Sequence, residues 1–398
     1  MKISRKFFLL TGLGFLLAAV LTNTFLPHVE AQKDRGKQRA SALREAAATV
    51  PVAGVVLTLQ KPNVDMNGDG RTDFVITRES APNASLNNTF VSGLSRTESR
   101  RQRLQRTIGS DSLAGAASQF EWWVAYNNVP GGFTSGWGLA QVDDTVSADF
   151  DGDATDDLAV WRPGIPGEAG FYSLDSSTGT FRYSDFGLTG DDASVVADYD
   201  GDGRDDPATF RCPEVTEGQC YFFYRGSLNN PNQDITYSPW GFGTMSDYFP
   251  SPGDFNGDGK YDFCLEDVRN TQATFWLWIN GTQTYEVSQW GLNSDFLIPG
   301  DFDGDGKSDF TVMRIENDDS LVFYTHERDG GVRIVQWGVV GDIPVPGDYD
   351  GDGKQDIAIY RWNTTDATFW ILPSNGDPYR AFNYGVPGDE PLAAWYVQ

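Results

Sequence analysis

A chain of 398 residues is long enough for one large repeat domain or two ordinary ones, and its formal net charge of -26 argues against nucleic acid or an anionic membrane surface as a partner. Its 44 glycines and 20 prolines, with no long run of helix formers, point to a fold of strands and turns.

In chain order, Lys2, Arg5 and Lys6 precede an apolar run from Phe7 to Phe25, and Val29-Glu30-Ala31 places small residues at cleavage positions. Residues 1–31 therefore read as an export signal, and the protein as secreted, extracellular or periplasmic. Left uncleaved, the same run is long enough to act as a membrane anchor; once cleaved, no membrane span is expected. Residues 32–53 are polar, Ala-rich and basic, and read as a flexible leader. The folded body is expected over 54–398, opening with a strand from Val55 to Gln60.

From there one acidic nine-residue loop recurs, beginning at Asp65, Asp149, Asp198, Asp254, Asp301 and Asp348, with spacings of 84, 49, 56, 47 and 47 residues. The first gap holds one unit plus an insertion at about 79–119. A period near 47 built of strands and turns is the length of a propeller blade. The last unit parses as Ile343 to Pro346, the loop, a strand from Ile357 to Arg361, a turn, a strand from Thr368 to Leu372, a turn, and a strand from Arg380 to Tyr384. An aromatic-Gly pair closes every unit: Trp137-Gly138, Phe186-Gly187, Trp240-Gly241, Trp290-Gly291, Trp337-Gly338 and Tyr384-Gly385. The expected fold is all-β, a six-bladed β-propeller of four-stranded blades that bury their faces on one another. The C-terminal run Pro391 to Val397 resembles another strand of the kind that precedes a loop; it either closes the ring beside the first blade or begins a seventh, incomplete blade.

The succession aromatic-Gly, strand, Asp-x-Asp-Gly-Asp-Gly-x-x-Asp, strand is similar to the FG-GAP/VCBS repeats, including those of integrin α-chain propellers. The resemblance covers residues 54–398. It implies a calcium-binding loop between the first and second strands of each blade, on a scaffold used for adhesion, lectin-like binding and a few enzymes. The strands after the loops end in Arg78, Arg162, Arg211, Arg314 and Arg361, where the family's name would lead one to expect Gly-Ala-Pro.

The loop residues themselves point to a hard cation. Positions 1, 3, 5 and 9 supply side-chain oxygen: Asp65, Asn67, Asp69 and Asp73; Asp149, Asp151, Asp153 and Asp157; Asp198, Asp200, Asp202 and Asp206; Asp254, Asn256, Asp258 and Asp262; Asp301, Asp303, Asp305 and Asp309; Asp348, Asp350, Asp352 and Asp356. Calcium takes six to eight such oxygens. No soft ligand is present for zinc or copper, and strands rather than helices flank the loops, which excludes an EF-hand. Up to six structural Ca2+ ions are expected. Asn67 and Asn256 should weaken the first and fourth sites, Ala154 replaces the second glycine of the second loop, and the Lys307 side chain at position 7 of the fifth loop is free to face water.

Cys212 and Cys220 flank a short turn and are expected to form a disulfide in an oxidising compartment, while Cys264 reads as a small core residue. No catalytic residue is assigned. His28 lies in the export segment and His326 at a strand end with no nucleophile motif nearby. The functional reading is an adhesion or ligand-binding module for an extracellular protein or glycan. Its alternatives are a polysaccharide lyase or hydrolase on the same scaffold, or a purely structural matrix protein. Arg96, Arg100, Arg101, Arg103 and Arg106 against Glu98 give the insertion a local charge of 5 - 1 = +4. It is a solvated loop, a docking site for an acidic polysaccharide or protein, or a protease-sensitive switch. Trp276, Trp278 and Trp370 read mainly as inter-blade core, with sugar stacking as the alternative.

Overall fold

Each run that follows an acidic loop is short and rich in β-branched and aromatic residues, and each becomes a nearly fully buried strand. The computed structural model describes residues 64–79, 118–140, 142–214 and 216–392. The export segment, the leader, the expected strand from Val55 to Gln60, the basic stretch Arg96 to Arg106 and the terminal residues from Ala393 lie outside the described residues.

Blade one contains β1 (Phe74–Glu79), β2 (Gln119–Ala125) and β3 (Gly132–Leu139). Blade two contains β4 (Asp144–Ala148), β5 (Asp157–Arg162), β6 (Gly170–Leu174) and β7 (Phe181–Asp185). Blade three contains β8 (Ala208–Arg211), β9 (Gly218–Tyr224) and β10 (Thr236–Gly243), and its first strand is reduced to a bridge between Asp192 and Phe210. Blade four contains β11 (Tyr248–Pro250), β12 (Phe263–Asp267), β13 (Gln272–Trp278) and β14 (Tyr285–Leu292). Blade five contains β15 (Phe296–Leu297), β16 (Phe310–Ile315), β17 (Ser320–His326) and β18 (Val332–Val339). Blade six contains β19 (Ile343–Pro344), β20 (Ile357–Trp362), β21 (Ala367–Leu372) and β22 (Arg380–Asn383). Neighbours within each sheet are antiparallel and follow chain order. Among the described residues no helix is long and apolar enough to cross a membrane.

The ring closes through β23 (Glu390–Pro391), which pairs with β1 at Ile76↔Pro391 and Thr77↔Glu390. The Leu392 N–H adds a bond to the Val75 carbonyl at 3.0 Å, and the Leu392 side chain is buried. The innermost strand of blade one is therefore C-terminal. The propeller has six blades, not seven.

Blades hold together face to face. One core cluster joins Phe255, Phe275 and Leu277 of blade four to Phe310 and Val312 of blade five, and another joins Phe323 and Met313 to Ile357 and Ile359 of blade six. The aromatic-Gly pairs work at these seams. The Trp137, Trp240, Trp290 and Trp337 indole N–H groups each donate to a carbonyl on the third strand of the next blade, at Tyr172, Trp276, Tyr324 and Trp370. The glycine beside each aromatic has positive φ, from 77° at Gly291 to 104° at Gly385, a region that a residue with a Cβ enters at a cost. Trp278 and Trp370 pack partly against the cores, as expected, whereas Trp276 is 37% exposed. Cys212 and Cys220 form a disulfide with Cα atoms 4.3 Å apart, and Cys264 is a buried free thiol.

Removing residues 388–398 deletes the closing strand and leaves the inner edge of blade one unpaired. Calorimetry should then show a lower and broader unfolding transition; an unchanged transition would contradict closure through β23.

Candidate metal centres

The acidic loops are the first-to-second-strand connections, and two sets of backbone bonds fix their shape. The residue before the loop pairs with position 9, as at Ala148↔Asp157 and Gly300↔Asp309, so the loop starts and ends on one rung. Inside, the position-1 carboxylate gathers the backbone. Asp301 accepts the N–H of Gly304 at 2.5 Å on Oδ1 and that of Gly306 at 2.9 Å on Oδ2. The same pair of bonds forms at Asp65, Asp149, Asp198, Asp254 and Asp348. Gly304 and Gly306 have φ of 80° and 83°; Ala154 is held at 67°, a strained value for a residue with a Cβ.

Position 9 is the most buried member. Its Oδ2 accepts the position-2 N–H at 3.0 Å in the second, third, fourth and fifth loops. Its Oδ1 accepts an N–H from the turn between the third and fourth strands: Asn127 to Asp73 at 2.7 Å, Ser176 to Asp157 at 2.7 Å, Asn280 to Asp262 at 2.8 Å, Arg328 to Asp309 at 2.9 Å and Ser374 to Asp356 at 2.6 Å. These turns therefore cap the loops from the same face of the ring. The serines add hydroxyl bonds, from Ser177 to Asp151 at 2.6 Å and from Ser374 to Asp352 at 2.9 Å.

This geometry brings the sequence-assigned carboxylates together. Ligand oxygens of Asp149, Asp151 and Asp153, of Asp198, Asp200 and Asp206, and of Asp301, Asp303 and Asp309 lie within 4.8 Å of one another. Asp69 Oδ2, Asp200 Oδ1 and Asp206 Oδ1 are buried with no hydrogen-bond partner. A buried carboxylate oxygen without a donor is costly unless a cation meets it. The donor set is all oxygen, which fits a hard divalent ion. In the two loops with asparagine, the amide turns on its neighbours: Asn67 Nδ2 lies 3.4 Å from Asp73 and Asn256 Nδ2 3.1 Å from Asp258, so the neutral ligand also competes for carboxylate oxygen.

Burial, reinforced by neighbouring carboxylates, raises the pKa values across these loops. Asp73, Asp157 and Asp262 are pushed up to about 7, and Asp206 and Asp309 to about 8. Asp301 and Asp348 rise to about 6, and the buried pair Asp350 and Asp356 also moves upward. Without a cation, the position-9 groups exchange protons near neutral pH, whereas Asp301 and Asp348 are largely ionised there.

The loops also bond to each other. The N–H of position 8 donates to the position-1 carbonyl of the preceding loop at 2.7–2.9 Å: Asp156 to Asp65, Asp205 to Asp149, Tyr261 to Asp198, Ser308 to Asp254, Gln355 to Asp301 and Thr72 to Asp348. These bonds form a closed circuit of six. The position-7 side chain does not simply face water. It lies across the first glycine of the preceding loop, so that a Cβ on Gly304 would come 2.8 Å from Lys354 Cε, and one on Gly152 2.8 Å from Arg204.

A second repeated device lies at the far ends of the same strands. Arg162 makes a bidentate bridge to Asp143 at 2.6 and 2.8 Å, and Arg78, Arg211, Arg314 and Arg361 do the same with Asp389, Asp191, Asp295 and Asp342. Each guanidinium also stacks on a third-strand aromatic, from 4.4 Å at Tyr172 to 5.8 Å at Trp370. Each Asp caps the turn into its blade, as Asp143 does by accepting the Leu139 N–H at 2.7 Å. Blade four departs from this pattern: Asp267 stands at the arginine position and bridges to Arg269. Sequence reading noted the arginines but not their partners. The signal was an Asp four residues after the closing glycine in Gly187/Asp191, Gly291/Asp295, Gly338/Asp342 and Gly385/Asp389. His326 stacks on Trp290 at 5.0 Å and on Phe310 at 6.4 Å, a packing role.

No protein-family model and no curated protein matches the chain. Among solved structures it is similar to TolB from Acinetobacter baumannii, at 14% identity and a TM-score of 0.45, covering 70% of this chain and 63% of that one, under two thirds of its length. It is also similar to a putative 6-phosphogluconolactonase from Bacteroides fragilis, at 11% identity, 82% and 98% coverage and a TM-score of 0.36. A mutant of AofleA from Arthrobotrys oligospora aligns at 12% identity over 69% of this chain and 85% of that one, with a TM-score of 0.36.

Arg314→Ala strands the buried Asp295 carboxylate and should cost about 3–5 kcal/mol in chemical denaturation, with Arg314→Lys intermediate because it loses the fork; a loss below about 1 kcal/mol for the alanine variant would refute the clip. A second expectation concerns pH. An unfolded aspartate titrates near 3.9. The folded values lie higher, so folding takes up protons between pH 4 and 8, and stability of the cation-free protein falls as pH rises through that window. Stripped protein should melt higher at pH 5.5 than at pH 8, and calcium should raise the melting temperature more at pH 8. A calcium shift that is equal at both pH values would contradict the burial of these carboxylates.

Proposed function

We propose that this chain is an exported propeller of the FG-GAP/VCBS type, whose six loops hold calcium as a structural ion. We infer that it serves as an adhesion or ligand-binding module for an extracellular protein or glycan. One observation carries the calcium reading: buried carboxylate oxygens, some without any donor, converge in loops of fixed length that recur around the whole ring. Bound calcium supplies the positive charge that these groups lack. The chain contributes the rest. The position-1 Asp shapes the loop, the position-9 Asp ties it to the second strand, and the capping turn orients position 9 through its backbone N–H.

What supports a binding role is the contrast between the two faces. On the loop face, length and chemistry are held constant from blade to blade. On the opposite face, the turns between second and third strands differ: Pro163 to Ala169 presents an exposed Ile165, Cys212 to Glu217 is closed by a disulfide, and the remaining turns are short. In the sequence the basic insertion also falls between a second and a third strand, β1 and β2. Variable turns on a rigid ring are the arrangement in which ligand specificity is built without disturbing the scaffold.

Excess chelator should lower the melting temperature sharply, and re-added calcium should restore it; a melting curve indifferent to both would end the calcium reading. For the binding role, a glycan array and a cell-surface binding assay, each with and without calcium, should show calcium-dependent capture. Capture undiminished by deletion of residues 85–115 would make the insertion passive.

A further inference from the structure

The six loops are alike in sequence but not in how well the protein itself satisfies them. In five, the position-9 Oδ1 receives a backbone N–H from the capping turn. In the third, it does not. Asp206 is fully buried, yet its Oδ1 has no hydrogen-bond partner, and neither does the buried Oδ1 of Asp200 beside it. Both residues cluster with Asp198.

The capping turn of blade three shows the difference. The Ser227 hydroxyl bonds Asp202 Oδ2, and the Leu228 N–H donates to Asp200 Oδ2 at 2.7 Å. Both contacts address positions 3 and 5 and leave position 9 uncapped. The approach is close enough that a Cβ on Gly226 would lie 2.4 Å from Asp200 Oδ2. All four ligand positions of this loop are aspartate, so it also carries more negative charge than the first and fourth.

Resting on the calcium reading above, we propose that the loop Asp198–Asp206 is the tightest of the six cation sites, a site for a hard divalent ion and the last to release it. The reasoning is a comparison of apo states. Elsewhere, removing a cation leaves position 9 hydrogen-bonded on both oxygens. Here it leaves two buried carboxylate oxygens of clustered residues with no donor, the position-9 oxygen among them, so the ion-free loop is the least favourable of the six and ion binding gains most.

The test uses the full chain. Native mass spectrometry at limiting calcium should show one ion retained after the others are stripped. Asp206→Asn should abolish that retained ion and weaken the tightest apparent Kd at least tenfold. Asp309→Asn, at the same position of the capped fifth loop, should lose a weaker ion and keep the tight one. Terbium titration with tyrosine excitation gives a second readout, because Tyr199 follows Asp198 directly and stacks on Tyr224 at 4.9 Å; Asp206→Asn should remove the earliest luminescence. If Asp206→Asn does not fold, Asp200→Asn must show the same loss. Retention of the tight ion in either folded third-loop variant, or its loss in Asp309→Asn, overturns the proposal. Six ions bound with equal affinity also overturn it while leaving the calcium reading intact; no ion bound by the unmodified chain at millimolar calcium defeats that reading itself.

Discussion

Six clusters of carboxylates must be kept close together, partly out of water, without tearing the ring apart, and the rest of the architecture follows from that constraint. The protein answers first with backbone dipoles. The position-1 aspartate collects N–H groups from positions 4 and 6, and position 9 collects one from position 2 and, in five blades, one from the capping turn. Hydrogen bonds to an ionised carboxylate are among the stronger ones available. They are still outweighed by burial, because the position-9 groups titrate near neutral pH rather than near 4. The scaffold organises the charge but does not neutralise it.

The same loops transmit that organisation around the ring. Each position-8 N–H reaches the position-1 carbonyl of the preceding loop, so the residue that shapes one site is bonded to the strand entry of the next. On the other face, in every blade but the fourth, the arginine at the end of the second strand is clipped to the aspartate that caps the turn into its own blade. A blade is thus tied at both ends, to its neighbour on one face and to its own entry turn on the other. Inter-blade indole bonds and mixed-blade cores fill the space between. Closure by β23 matters for this reason, since a ring of nearest-neighbour contacts has no weak end only when it is complete.

Much of this was legible in the sequence because it is local and repeated. Asp, Gly and Asp at fixed offsets define a loop wherever they occur, and the aromatic-Gly pairs mark the seams. The same periodicity pointed to six blades but left the C-terminal run as either the closing strand or the start of a seventh blade, and only the pairing of β23 with β1 decides between them. What could not be read are contacts between residues that spacing does not link. The circuit of bonds joins loops nearly 50 residues apart or more. The Arg162–Asp143 clip needs the turn geometry before its partners meet. Lys307 was expected to face water, and its path across Gly257 depends on how neighbouring blades stack. The missing cap at Asp206 arises because the turn directs its Leu228 N–H to Asp200 instead, a difference visible only in the folded loop.

Blade three gathers these irregularities, and they are related. Its first strand is reduced to the Asp192↔Phe210 bridge, so one side of β8 is held by fewer backbone bonds than its counterparts in other blades. The Cys212–Cys220 disulfide joins β9 to the residue just beyond β8, at the end remote from the acidic loop, where the lost strand pairing would be felt. Closing so short a loop contributes at most about 3 kcal/mol, the scale of a few such bonds. At the opposite end of β8 stands Asp206, the uncapped carboxylate. A cation there would fasten β8 to the loop that enters it, just as the disulfide fastens β8 to β9. The blade with the least sheet is the one that combines a covalent clip at one end with the uncapped acidic loop at the other.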